Sequence, residues 1–81
     1  MKVVAYTTNW CSDCIRSKTL LKELGIPFEE IDIEAVEGAA EEMELSNGGI
    51  YRIPTIIIDD THVLVEPSDE ALTEVIDRHL G

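Results

Sequence analysis

Cys11 and Cys14 are the only cysteines in the chain, and two residues separate them. A pair this close cannot staple distant segments as a structural disulfide framework does. It can exchange electrons as a reversible dithiol, or supply half of a four-ligand zinc site. Two copies of the chain could also share an iron–sulfur cluster, two cysteines from each. Zinc would need two further ligands, and His62 and His79 do not stand at finger-like spacing from the pair. No metal ligands are therefore assigned, and dithiol exchange is the leading expectation. An iron–sulfur carrier is the alternative of a different class.

The surroundings of the pair favour exchange. Cys11-Ser12-Asp13-Cys14 follows a β-rich run and opens a helical one. A helix N-terminus offers unpaired backbone N–H groups and about half a positive charge, and both stabilise a thiolate. Cys11 is thus the expected nucleophile. Cys14, one turn further in and more buried, is the expected resolving cysteine that attacks the mixed disulfide. Asp13 suits the helix start but sets a negative charge near that thiolate, so it is expected to tune the pair towards a reductant.

Further candidates lie outside the pair. Pro54 stands at the start of a strand, where it cannot donate to the ladder. With the cysteine motif, a cis Ile53–Pro54 bond is expected, which brings this loop beside Cys11 and leaves backbone groups free for an extended substrate. Trp10 is expected as an apolar lid against substrate. Arg52, the one cation near the proline loop, either anchors a substrate carboxylate or pairs with nearby acids. His62 and His79 are expected to have no catalytic part.

These residues need a frame. Val3 to Tyr6 reads as a buried first strand. Cys14, Ser17, Leu21 and Leu24 recur at helical spacing with Leu20 beside them, Lys18 and Lys22 lie off that stripe, and Gly25 and Pro27 stop the helix. Phe28 to Ile33 alternates as a half-exposed strand with Glu29, Ile31 and Ile33 on one face. Val36, Ala39, Ala40 and Met43 give a second helical stripe, ended by Asn47-Gly48-Gly49, with Glu34, Glu37, Glu41, Glu42 and Glu44 on its wet side. Ile53 to Ile58 is apolar on both faces and predicts a central strand. Asp59-Asp60-Thr61 turns it into a hairpin with His62 to Val65. Ser68 is a helix N-cap, and Leu72, Val75, Ile76 and His79 form the last stripe. The order is βαβαββα: an α/β domain with one four-stranded sheet and three helices, spanning residues 1–81.

Composition narrows the functions further. The 81 residues hold 17 acidic and 6 basic side chains, a formal charge of −11. Such a surface repels nucleic acid and anionic membranes. The longest apolar run near the N-terminus is too short for an export signal, so a cytoplasmic location and a monomer are expected.

The segment Tyr6-Thr7-Thr8-Asn9-Trp10-Cys11-Ser12-Asp13-Cys14, with Arg16 and Lys18, resembles the active-site segment of glutaredoxin-like proteins of the thioredoxin superfamily. The likeness is strongest to the mycoredoxin branch. It continues through Asp32-Ile33-Glu34, Asn47-Gly48-Gly49, Arg52, Pro54-Thr55 and Pro67-Ser68. The resemblance implies a thioredoxin fold with strand order 2-1-3-4. It implies substrate contacts at Trp10, Arg52, Ile53, Pro54, Pro67 and Ser68. It also implies reduction of protein disulfides, or of mixed disulfides with a low-molecular-weight thiol, with no tightly bound cofactor. Thr7-Thr8-Asn9 stands where ordinary glutaredoxins usually carry a lysine, and Glu66-Pro67-Ser68-Asp69 replaces their Gly-Gly-x-Asp-like segment. The reductant is accordingly left open between glutathione, mycothiol, bacillithiol and a flavoprotein reductase. A dedicated electron donor to an enzyme such as ribonucleotide reductase is a third expectation.

Overall fold

In the computed structural model, which describes residues 1–80, the chain runs β1 (Val3–Thr7), α1 (Ser12–Glu23), β2 (Glu29–Asp32), α2 (Ala39–Ser46), β3 (Thr55–Ile58), β4 (His62–Val65) and α3 (Asp69–Leu80). The strands form one sheet in the order β2-β1-β3-β4. β1 and β2 pair in parallel across the α1 crossover, whereas β3 pairs antiparallel with both β1 and β4. This is the thioredoxin fold that the resemblance implies.

Alternation along the strands divides the core in two. Val3, Ala5, Ile56 and Ile58 point to one face, where Leu21, Leu72, Val75 and Ile76 of α1 and α3 cover them. Val4 and Tyr6 point to the other, where Ile33, Ala39 and Met43 complete the cluster. β1 is buried along its whole length, while β2 at the sheet edge is half-exposed. A thin two-sided core suits a chain of this size, which buries roughly 60% of its unfolded surface.

The ends of the elements follow local chemistry. α1 stops where Gly25 adopts φ 71°, a left-handed value that glycine accepts without strain. The β3–β4 loop is the three residues Asp59, Asp60 and Thr61 between the paired Ile58 and His62; Asp59 and Asp60 take positive φ, as the centre of a type I′ turn does, and the Thr61 N–H closes it on the Ile58 carbonyl. Asp59 also binds this turn to the start of β1: its N–H donates to the Lys2 carbonyl, and its carboxylate accepts from the Lys2 N–H at 2.7 Å. Ser68 caps α3 by accepting the Ala71 N–H at 3.1 Å.

Three expectations about packing change. Val36 is exposed and lies in the turn before α2, because the helix begins only after Gly38, whose φ is 82°. Glu34 and Glu37 therefore line that turn rather than a helix face. Leu24 is the C-cap of α1 and is exposed, so the buried stripe ends at Leu21. Lys18 is not simply on the wet side: its side chain is only 19% exposed and reaches across to β2.

Candidate active site

The loop after β1 delivers Cys11 to the N-cap of α1 with extended backbone angles, φ −85° and ψ 116°. Its sulfur takes the place of the usual capping oxygen and accepts the Cys14 N–H at 3.1 Å. Its carbonyl accepts the Ile15 N–H. The free N–H groups and positive end of α1 are thus directed at the Cys11 sulfur. Cys11 keeps 8% exposure and Cys14 none. Both are free thiols. Burial, reinforced by a side-chain hydrogen bond with the Cys11 sulfur, pushes the Cys14 thiol up to about 12. One cysteine is therefore set for attack from the edge of the surface, and the other is held protonated behind it.

The proline loop is fixed from below. The Ile53–Pro54 bond is cis. Thr55 Oγ1 donates to the Arg52 carbonyl at 2.8 Å, and Asn47 Nδ2 at the end of α2 donates to Thr55 Oγ1 at 2.8 Å. The Pro54 carbonyl accepts the Glu66 N–H at 2.9 Å. The backbone of this loop divides: the carbonyls of Arg52 and Pro54 are paired, because the chain leaving β4 returns alongside the loop and the Thr55 hydroxyl sits beneath it, whereas the N–H and carbonyl of Ile53 have no partner among the described residues.

The other expected residues divide. Trp10 is 67% exposed and its indole N–H donates to Glu34 at 2.9 Å, so the ring is tethered at its edge while its faces stay open. Arg52 is exposed, with its Nε 3.5 Å from the Glu66 carboxylate. Pro67 is buried, and its carbonyl accepts from Arg16 at 3.1 Å. The Ser68 hydroxyl serves as the α3 cap. Asp13 points towards Arg16, 3.7 Å from its Nε, and Arg16 is held in turn by Asp69. His62 and His79 stack edge to face at 5.4 Å. His79 approaches Asp59 of the β3–β4 turn, so the two rings pin that turn to α3.

Sequence reasoning passed over Glu30 and Glu66. Glu30 accepts from Lys18 at 2.6 Å and from the Thr7 hydroxyl at 2.8 Å, and these bonds hold its carboxyl below the usual carboxylate range. The available signal was spacing: Lys18 stands four residues after Cys14, one turn along the same helix face. Glu66 adopts φ 46°, a left-handed conformation for a side chain that ordinarily avoids it. No pattern in a single sequence announces that.

Known proteins are similar to this chain in sequence and fold. A model of the glutaredoxin family matches residues 3–63. A Mycobacterium tuberculosis protein described as a glutaredoxin is 40% identical over 72 residues, covering 88% of this chain and 86% of that one. The crystal structure of a glutaredoxin from Methanosarcina mazei has a TM-score of 0.80 at 30% identity, covering 93% of this chain and 77% of that one. The NrdH-redoxin of Escherichia coli, a glutaredoxin-like protein with a thioredoxin-like activity profile, has a TM-score of 0.78 at 27% identity, covering 93% and 95% of the two chains.

Proposed function

The chain belongs to the glutaredoxin family, and from that premise we propose that it is a dithiol oxidoreductase that reduces protein disulfides or mixed disulfides of a low-molecular-weight thiol. The observation that carries this reading is the division between the two cysteines. Cys11 caps the helix at the surface edge, and Cys14 lies behind it with no exposure.

The Cys11 thiolate attacks one sulfur of a substrate disulfide. A Cys11–sulfur bond forms, the substrate disulfide breaks, and the departing thiolate takes a proton from solvent. Cys14 then loses its proton and attacks the Cys11 sulfur. The Cys11–Cys14 disulfide closes and the second substrate thiol leaves. Two electrons have moved from the protein to the substrate, and a thiol or a flavoprotein reductase must return them. Mycothiol, bacillithiol and glutathione are the candidate thiols. Trp10, Ile53, Pro54 and Pro67 are the proposed substrate contacts. The cytoplasm, where thiols are kept reduced, is the compartment such a cycle needs.

The test is turnover of a protein disulfide and of a small mixed disulfide by the wild type and by two variants. Cys11→Ser should abolish both reactions. Cys14→Ser should stop on a protein disulfide as a stable mixed disulfide visible by mass. If Cys14→Ser reduces protein disulfides at the wild-type rate, the two-cysteine route is wrong.

A further inference from the structure

We propose that Glu66 sets the substrate class: its carboxylate, 3.5 Å from Arg52 Nε, competes with a substrate carboxylate for the Arg52 guanidinium and disfavours thiols that carry carboxylates, in favour of uncharged thiols and protein disulfides. The inference rests on the exchange reaction above and adds a specificity determinant to it.

The cations of the chain are few, and their placement is informative. Of the six, Lys2 and Arg78 pair with Asp60 and Glu74. Lys22 lies in the last turn of α1, the end away from Cys11. Arg16, Lys18 and Arg52 remain near the cysteine pair or the proline loop. Arg16 is held by Asp69 and the Pro67 carbonyl, and Lys18 by Glu30. Arg52 directly precedes the Ile53–Pro54 bond and faces Glu66.

The Glu66 backbone is fixed against the proline loop, because its N–H bonds the Pro54 carbonyl. Its φ of 46° is a value that glycine takes without cost and a branched or long side chain does not favour. A strained position bonded to the proline loop is a reason to look for function. An exposed ion pair of this kind adds little to folding. It still forces a substrate carboxylate to displace one already tethered, on a protein whose net charge of −11 also repels it.

The experiment compares mixed disulfides of one uncharged peptide with glutathione, which carries two carboxylates, and with 2-mercaptoethanol, which carries none. The readout is the ratio of kcat/KM for the two substrates. Glu66→Gln should raise the glutathione ratio about 1.5-fold to fivefold at low salt, within the range of a released surface charge pair. The rise should vanish in 1 M salt and in the double variant Glu66→Gln/Arg52→Gln. A readout independent of turnover is the Arg52 side-chain NMR signal during titration with S-methylglutathione. It should shift in Glu66→Gln and stay still in the wild type. An unchanged ratio in Glu66→Gln, or a rise that survives removal of Arg52, overturns the proposal while leaving the oxidoreductase reading intact. If the wild type reduces neither mixed disulfide but does reduce a protein disulfide, this proposal alone is overturned; if it reduces none of the three, the oxidoreductase reading fails and this proposal with it.

Discussion

The backbone N–H of Cys14 donates to the sulfur of Cys11 at 3.1 Å, so the first turn of α1 is closed by the group that does its chemistry. That bond keeps the two cysteines of the pair on one side of the helix end. Mild oxidation should therefore close an intramolecular Cys11–Cys14 disulfide. The mass should fall by two hydrogens and no thiol should remain for alkylation, with both reversed by a dithiol reductant. A disulfide-linked dimer, or two reactive thiols after oxidation, would contradict it.

The buried thiol sets the pH dependence of the second half-reaction. In the reduced pair Cys14 is pushed up to about 12, chiefly by burial, and that burial persists when Cys11 is in a mixed disulfide, so Cys14 stays mostly protonated at neutral pH. Its reactive thiolate fraction then grows roughly tenfold per pH unit well below that value. Resolution of a preformed Cys11 mixed disulfide, followed by rapid quenching and mass analysis between pH 6 and 9, should rise accordingly. A flat profile would show that a group inside the protein accepts the proton.

Glu30 links the same region to stability. Bonds from Lys18 and Thr7 hold its carboxyl below its ordinary value of 4.5. The folded state therefore binds this proton less readily than the unfolded chain. The stabilisation is fully present above the unfolded value and is lost as pH falls through the folded one. The side chain is 40% exposed, so solvent screens the pair. Glu30→Gln should cost about 0.5–1 kcal/mol at pH 7, a fall in Tm of roughly 2–8 °C. Thermal melts at pH 3 should show a much smaller difference between variant and wild type. An equal difference at both pH values would mean that shape, not charge, is what Glu30 contributes.

How much of this was legible depends on the range of the interaction. The cysteine spacing, the Gly25-Pro27 stop, the Ser68 cap and the Asp59-Asp60 turn are local, and each appears in the structure where the sequence puts it. The strand order came from the likeness to known chains, because alternation says which face a residue takes and not which strand lies beside it. The start of α2 was misplaced, since Val36 continues the helical spacing across a left-handed Gly38 that periodicity does not register. The partners of Lys18 and Arg52 were invisible for another reason. Glu30 is 12 residues from Lys18, and Glu66 approaches Arg52 only after the β3–β4 hairpin has reversed the chain. With 17 acidic residues available, charge alone does not choose between them.

Asp13 offers the last prediction. Its carboxylate stands two residues from Cys11 in the first turn of α1, where it draws on the same helix field as the Cys11 thiolate and opposes it. The structure adds that Asp13 leans to Arg16, 3.7 Å away, and that Arg16 is itself committed to Asp69. The guanidinium therefore balances Asp13 only in part. At about 7 Å in a water-like dielectric, the remaining repulsion is on the order of 0.6 kcal/mol. For a two-electron couple, about 1.4 kcal/mol corresponds to 30 mV, so Asp13→Asn should raise the reduction potential by roughly 10–15 mV. The direction follows because relieving the repulsion stabilises the thiolate, and with it the reduced form. Equilibration against a redox buffer of known potential, read by the fraction of alkylatable Cys11, measures the change. Asp13→Asn/Arg16→Gln should separate the two charges, since loss of Arg16 alone should lower the potential. An unchanged or lower potential in Asp13→Asn would show that Arg16 already neutralises the carboxylate, leaving it only the task of starting the helix.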